Sequence, residues 1–478
     1  MFTILRVSAV NPRSHPRNFS GIMYNLKTLK NKLRLITIPM RGTKTATVLV
    51  MVKTGSKYEN KKNSGISHFL EHMFFKGTAR RPDTLAISSE LDGIGAEFNA
   101  FTGKEYTGYY VKAEAGKIDL AMDVVSDMLL NSKFDAKEIE REKGVIIEEL
   151  NMYRDNPMIY IEDLFEELLY GDQPAGWDTI GTRENILGFK REDFIDYFDS
   201  QYGAQNTFVC VAGNVKPHPS PLLGKERGQR IIDKDLSTPH YQGGGRREVE
   251  KLTNKYFSKL KPSDLREKKS VQEKQTKPQI KLHYKKTDQA HLSLGVRAYA
   301  LGHEDEFALK LLSVILGESM SSRLFIELRG RKGLAYSVRT QAEFYTDSGY
   351  LTAQAGVPKD KLRQAIAVIL AEYKKIAEHL IDDEELERAK NLIKGQMAIQ
   401  MESSSNVANW HGRQAVLRDE ILTPEDFMKK VNKVSAQDIR QAARNVFVNQ
   451  GLNLAVIGPF RDGNTMKGIL KLIEINRN

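Results

Sequence analysis

Apolar and polar positions along this chain switch between two periods in a regular order. Residues 33–38 and Thr45–Val52 run apolar or alternate with period two, as strands do, and Pro39-Met40-Arg41-Gly42 between them reads as a turn. Around Phe69, Leu70 and Met73 the period lengthens to that of a helix, with Ser64 as its expected N-cap and Gly77 placed to stop it. Residues 82–91 predict a second helix ending at Gly93, and 96–101 and 106–112 predict two strands turning at Gly103. Next come helices over 117–130, 136–154 (stopped before Pro157), 161–169 and Arg191–Gln201, then an apolar strand over 206–213. Strands interleaved with amphipathic helices in this way define an α+β unit.

The pattern breaks after Gly213-Asn214. Residues 216–246 hold Pro217, Pro219, Pro221, Pro239 and Gly243-Gly244-Gly245 with no sustained period, and are expected to form a flexible insertion. A helical pattern resumes over 247–260, and 261–277, rich in Lys, Glu, Gln and Ser, reads as a solvated linker.

From residue 278 the first design is repeated. The helix Arg191–Gln201, its strand and Gly213-Asn214 are echoed by a helix over 435–447, a strand over 452–457 and Gly458-Pro459. Likewise Gln289–Ala298, a helix over 304–316 and Gly317 stand where the first half has a strand, the helix around Phe69, and Gly77. The expected organisation is an extension (1–22), a first α+β domain (23–260), a linker (261–277) and a second α+β domain (278–478). Each unit is expected to be a mostly antiparallel sheet with helices packed on one face.

The helix around Phe69 carries candidate chemistry. It reads His68-Phe69-Leu70-Glu71-His72, and on a helix His68 and His72 lie about 40° apart, with Glu71 about 60° to the other side of His68. Two neutral imidazoles on one face can chelate Zn²⁺, and a neighbouring carboxylate that is not a ligand can take a proton from water. The matching helix of the second unit, Phe307-Ala308-Leu309-Lys310-Leu311, has no ligands, so one zinc per chain is expected. A third ligand is sought in the helix over 136–154, which offers Glu138, Glu140, Glu142, Glu148 and Glu149. Glu142 and Glu149 share a face with Val145 and Ile146, where an unpaired buried carboxylate is costly and a metal removes the cost. The other reading of this run is a solvated acidic face.

Composition excludes several classes. The chain has 478 residues, 40% of them hydrophobic, enough for a sizeable core, and no apolar run approaches the ~18–20 residues of a membrane span. Its single cysteine, Cys210, lies in an apolar strand, which excludes an internal disulfide framework. The net charge of +11 does not mark a nucleic-acid binder, because residues 1–53 alone hold ten Lys/Arg and no Asp/Glu. Two readings stand for residues 1–22: an acid-poor targeting segment, or a disordered extension before Met23.

Together these motifs resemble the inverzincin metallopeptidases, the pitrilysin and mitochondrial processing peptidase family. His-x-x-Glu-His is followed by Met73-Phe74-Phe75-Lys76-Gly77-Thr78, and Glu149 lies 77 residues beyond His72. Gly95-Ala96-Glu97-Phe98-Asn99-Ala100-Phe101-Thr102 resembles the family's substrate-pairing edge strand, and Phe325, Arg329 and Tyr336 its Arg/Tyr element. The resemblance implies that His68, His72 and Glu149 bind zinc, that Glu71 is the general base, and that Glu142 orients a ligand histidine. It also implies that Tyr336 and Arg329 engage the substrate, that Asn99, Ala100 and Phe101 pair with it as an added strand, and that unfolded peptides are hydrolysed. Relatives of this length form two-chain chambers, so a homodimer is expected, with a heterodimer including a metal-free relative as the alternative. Residues 162–182 look bacterial, which favours the cytoplasm over a mitochondrial matrix. A non-catalytic scaffold subunit of the same fold is the rival reading.

Overall fold

The computed structural model describes residues 23–215 and 241–461. The readings for residues 1–22 and most of the 216–246 insertion therefore lie outside the described residues.

The first unit runs β1 (Asn25–Thr28), β2 (Arg34–Pro39), β3 (Thr45–Val52), α1 (Ile66–Met73), α2 (Thr84–Asp92), β4 (Glu97–Thr102) and β5 (Thr107–Glu114). It continues through α3 (Ile118–Asn131), α4 (Ala136–Asp155), α5 (Pro157–Tyr170), α6 (Arg183–Gly188), α7 (Arg191–Gln201), β6 (Thr207–Gly213) and α8 (Tyr241–Phe257). The second runs β7 (Gln279–Tyr284), β8 (Gln289–Ala298), α9 (Glu306–Gly317), β9 (Ser337–Phe344), β10 (Gly349–Pro358), α10 (Leu362–Glu378) and α11 (Asp383–Gln400). It closes with α12 (Ser404–Leu417), α13 (Pro424–Lys433), α14 (Ala436–Val446) and β11 (Leu452–Gly458).

The sheet orders are β1-β2-β6-β3-β5-β4 and β7-β11-β8-β10-β9. Apart from β1, these are one topology built twice, with a single parallel pair in each sheet (β2 with β6, β7 with β11). The fold is thus α+β with two homologous units, as the repeat in the sequence predicts.

A reciprocal exchange joins the units. Helix α5 of the first unit lies on the second sheet, packing Ile161, Leu164 and Phe165 among Tyr345, Tyr350 and Ile457. Its counterpart α12 lies on the first sheet, packing Val407, Ala408 and Val416 against Leu49, Met51 and Cys210. The far face of each sheet is therefore covered by a helix from the other half. This explains why β6 and β11 are buried throughout and, Thr207 and Asn453 apart, apolar rather than alternating. It also buries Cys210, as expected of a small core residue.

Two local expectations are corrected. Ser64 does not cap α1; Gly65 holds that position with a left-handed φ of 98°, and no side chain at the cap position satisfies the helix. The 216–246 insertion was expected to stay irregular to Arg246, but α8 begins at Tyr241 and includes Gly243-Gly244-Gly245. Glycine costs about 1 kcal/mol per helical position, and the buried Val249, Leu252 and Phe257 further along α8 offset it. Residues 261–278 form no helix or strand, yet are tied down, with Lys268 Nζ 2.6 Å from Asp347.

Candidate metal centre

Helix α1 presents His68 and His72 on one face because they are one turn apart, and their rings meet edge to face with centroids 4.7 Å apart. Helix α4 packs against α1 and delivers two carboxylates from positions two turns apart. Glu149 Oε2 lies 3.6 Å from His68 Nε2 and 3.4 Å from His72 Nε2. Glu142 Oε1 lies 2.8 Å from His72 Nδ1, and its other oxygen accepts from Lys76 Nζ at 2.6 Å.

These two sets of distances mean different things. The contact of 2.8 Å is a hydrogen bond. Separations of 3.4 and 3.6 Å are too long for a charge-assisted bond and match the edge of about 3.3 Å of a tetrahedron with ~2.0–2.1 Å metal–ligand bonds. Ligand atoms of His68, His72 and Glu149 all lie within 4.8 Å of one another. Two imidazoles and a carboxylate are a donor set that suits zinc, and the residues present fit such an ion.

The α4 acids divide as the two readings of the run required. Glu142 and Glu149 turn inward, whereas Glu138 pairs with the exposed Arg141, the exposed Glu140 with the buried Lys143, and Glu148 is exposed. Val145, expected on the inward side, is exposed as well, while Ile146 is fully buried.

Glu71 is not among the converging ligand atoms; it accepts a hydrogen bond from the Thr102 hydroxyl on β4. Along β4, Phe98, Ala100 and Thr102 face the α1 layer, while Phe101 points to the opposite side and packs on Tyr106. Beyond β5, β4 forms the edge of the sheet. Asn99 is exposed, and its side chain bonds the adjacent Ala100 amide. Thr102 and Lys76 both fall within motifs noted in the sequence, but nothing local marks their partners.

The electrostatics follow from these contacts. Burial raises the Glu71 carboxyl, against the pull of Thr102, His68 and His72. Glu149 sits well below the ordinary carboxylate range because the His68 and His72 imidazoles favour its charge. Burial opposes charge on Glu142 too, but His72 and Lys76 outweigh it and hold the carboxyl low. For His72, burial works against protonation, yet Glu142 and Glu149 prevail and raise it to about 9. On α5, burial and then the neighbouring Asp178 push Asp163 up to about 7.

Arg329 and Tyr336 are brought together with each other but not with this cluster. The Arg329 guanidinium lies 4.8 Å from the Tyr336 ring and 5.0 Å from that of Phe325, on a π-helical segment (Phe325–Arg331) ahead of β9. Tyr336 is 78% exposed. Among the described residues no hydrogen bond, ion pair or ring contact links either side chain to His68, Glu71, His72 or Glu149.

Among the described residues the His-His-Glu cluster lies in the first of two like units, and comparison with known proteins gives the family. Residues 34–183 match the family description "Insulinase (Peptidase family M16)", and 246–393 match "Peptidase M16 inactive domain". The chain belongs to peptidase family M16. It is 33% identical to "Uncharacterized zinc protease YmxG" of Bacillus subtilis, over 90% of this chain and 97% of that one. It is 32% identical to an "Uncharacterized zinc protease" of Rickettsia bellii, over 91% and 98%. A crystal structure of a protease from Helicobacter pylori superposes with a TM-score of 0.80 at 24% identity, covering 92% of this chain and all of that one. An M16 inactive-domain structure from Pseudomonas fluorescens reaches 0.79 at 16% identity, covering 92% and 98%. Among the described residues no helix is long and apolar enough to cross a membrane.

Proposed function

We propose that this chain is a zinc-dependent endopeptidase acting on unfolded peptides, with His68, His72 and Glu149 holding one zinc ion. The carrying observation is that Glu149 Oε2 stands 3.6 and 3.4 Å from the His68 and His72 Nε2 atoms, near a tetrahedral edge, beside a carboxylate that is not one of the converging groups. Zinc bound there supplies a Lewis acid that polarises water and the scissile carbonyl.

The protein's own groups do the rest. Glu71 takes the proton of the attacking water and returns it to the leaving amine. Thr102 engages Oε2 of Glu71, which leaves Oε1 for that transfer, and burial keeps the carboxyl nearer to neutral pH than a free one. Glu142 receives the Nδ1 proton of His72, fixing the tautomer whose Nε2 lone pair faces Glu149. An extended substrate adds a strand to the free edge of β4 at Asn99–Ala100–Phe101 by backbone pairing, which tolerates many sequences.

Arg329 and Tyr336 hold the substrate carbonyl side from a second copy of the chain, in a homodimer. The support is their exposure and their lack of any contact with the cluster among the described residues. The relatives named as zinc proteases are bacterial, which supports action in the cytoplasm. A scaffold role without catalysis is the weaker reading, because the ligand set and Glu71 are all present in the first unit. The deciding experiment is hydrolysis of a quenched peptide before chelation, after it, and after zinc is restored. Activity that survives complete metal removal sinks the proposal.

A further inference from the structure

Helix α1 carries two of the three ligands, yet it is only eight residues long and has no cap of its own. A short helix leaves its first amides unsatisfied, and buried amides need partners. Here the partner is remote. Glu59 accepts the Gly65 amide on Oε2 and the Ser67 amide on Oε1, both at 2.8 Å.

Glu59 is buried, and among the described residues no Lys, Arg or His lies within ion-pair distance of it. Lys57 is committed to Glu105 and Asp347, and Lys104 to Glu166. Burial pushes the Glu59 carboxyl up to about 7, against the pull of Ser67, Gly65 and the more distant Lys104, so its ionised form leans chiefly on α1, through those amides and the positive end of the helix dipole. Sideways movement is blocked by a crossing of two glycine backbones. A Cβ on Gly65 would lie 2.3 Å from the Ile180 carbonyl, and one on Gly181 2.4 Å from that of Ser64. Beside the cap, the Ser67 hydroxyl meets Tyr197 at 2.7 Å.

We infer that Glu59 is a positioning residue for the metal centre: its carboxylate fixes the first turn of α1, and with it His68, the residue after Ser67. This rests on the zinc reading above. A cap that served stability alone would leave metal affinity unchanged when weakened, so affinity is the discriminating readout.

The test uses the full chain. Glu59→Gln keeps the shape and one acceptor but turns the other oxygen into a donor facing an amide. Zinc affinity from competition with a chromogenic chelator should fall by about tenfold or more, the range seen when groups supporting a ligand are removed. Amide exchange at Gly65 and Ser67 should accelerate, and KM should stay within about twofold while kcat falls at limiting zinc. As a control, Asp382→Ala removes the cap of α11 in the other unit, where Asp382 accepts the Glu385 amide at 2.7 Å. It should lower the melting temperature and leave zinc affinity alone.

Glu59→Gln binding zinc as tightly as the wild type, with Gly65 and Ser67 exchanging faster, overturns the inference while the zinc reading stands. A wild type that binds no zinc removes both. Should Glu59→Gln not fold, Glu59→Asp withdraws the carboxylate by one methylene and should still loosen zinc, and wild-type affinity in that variant overturns the inference equally. Gly65 and Ser67 amides that exchange in the metal-free wild type as fast as exposed loops would also overturn it.

Discussion

His72 Nδ1 lies 2.8 Å from Glu142 Oε1, so an imidazole on α1 is aimed by a carboxylate two turns before Glu149 on α4. Glu142 in turn is held by Lys76, one turn after His72. The centre is thus a closed circuit between two helices, and removing any member should misplace the others.

Glu71 stands outside that circuit, bonded to Thr102 instead, and its loss should stop chemistry without emptying the site. Glu71→Gln removes the base but none of the converging ligand atoms. Peptide hydrolysis should fall on the order of 10²–10⁴-fold while zinc content stays at one per chain, measured by quenched-peptide kinetics and metal analysis. Cleavage at the wild-type rate would dismiss Glu71 as the base.

This division of roles shows what the sequence could and could not supply. Helical period alone places His68 and His72 together, because their relationship is local. Glu149 is not local: five glutamates share α4, and only the packing of α1 on α4 decides that Glu142 and Glu149 turn inward. The resemblance to known peptidases chose between them where the period could not. Thr102 had no local signal at all, since its partner depends on β4 packing against α1. Ser64 misled for the converse reason. Serine is the residue expected at an N-cap, but a tertiary contact from Glu59 satisfies those amides instead. The exchange of α5 and α12 was equally hidden, because each helix is amphipathic whichever sheet it covers.

Thr102 should tune the base rather than the metal. Its hydroxyl favours the ionised form of Glu71, so Thr102→Val should shift the acid limb of the kcat/KM profile to higher pH. A fall in kcat of about tenfold, with unchanged zinc content and recovery in Thr102→Ser, is the expected pattern. An unshifted profile would leave Thr102 as packing only.

Metal binding should compete with a proton on His72. In the metal-free protein, the raised pKa of about 9 means that pairing with Glu142 and Glu149 stabilises the fold fully below about pH 6.5 and is lost as pH rises through 9. Zinc requires the neutral ring, so it displaces that proton throughout this window. Apparent zinc affinity should rise by about tenfold per pH unit up to about pH 9 and then flatten, with close to one proton released per ion at neutral pH. Calorimetry in buffers of different ionisation enthalpy counts that proton, and an affinity independent of pH between 7 and 9 would contradict the assignment.

The joint between the units should be sensitive at Lys57. It is 1% exposed, and its ammonium serves Glu105, 2% exposed and 3.0 Å away, together with Asp347 on the β9–β10 turn. Lys57→Met leaves Glu105 and Asp347 to share Lys268 alone, 3.3 and 2.6 Å away, and removing one partner from a buried ionic cluster costs up to about 3–5 kcal/mol. Denaturant unfolding should show that loss, and the double variant Lys57→Met/Glu105→Gln should recover part of it. A single variant as stable as the wild type would mean that water enters this joint freely.

The composite-site proposal makes a prediction that no single variant can. Suppose one copy supplies His68, Glu71, His72 and Glu149 while its partner supplies Arg329 and Tyr336. Glu71→Gln and Arg329→Ala/Tyr336→Phe chains are then each inactive as homodimers, but a mixed dimer contains one intact site and one doubly defective site. With random exchange of equal amounts, half the dimers are mixed, so about a quarter of the wild-type activity should return. Were both motif sets of one chain to serve the same site, mixing would restore nothing. Chains that sediment as monomers under assay conditions while remaining active would exclude the shared site on other grounds. Because Arg329 and Tyr336 stack on one another at the surface, neither substitution opens a core cavity. A loss of activity there reads out substrate engagement rather than folding.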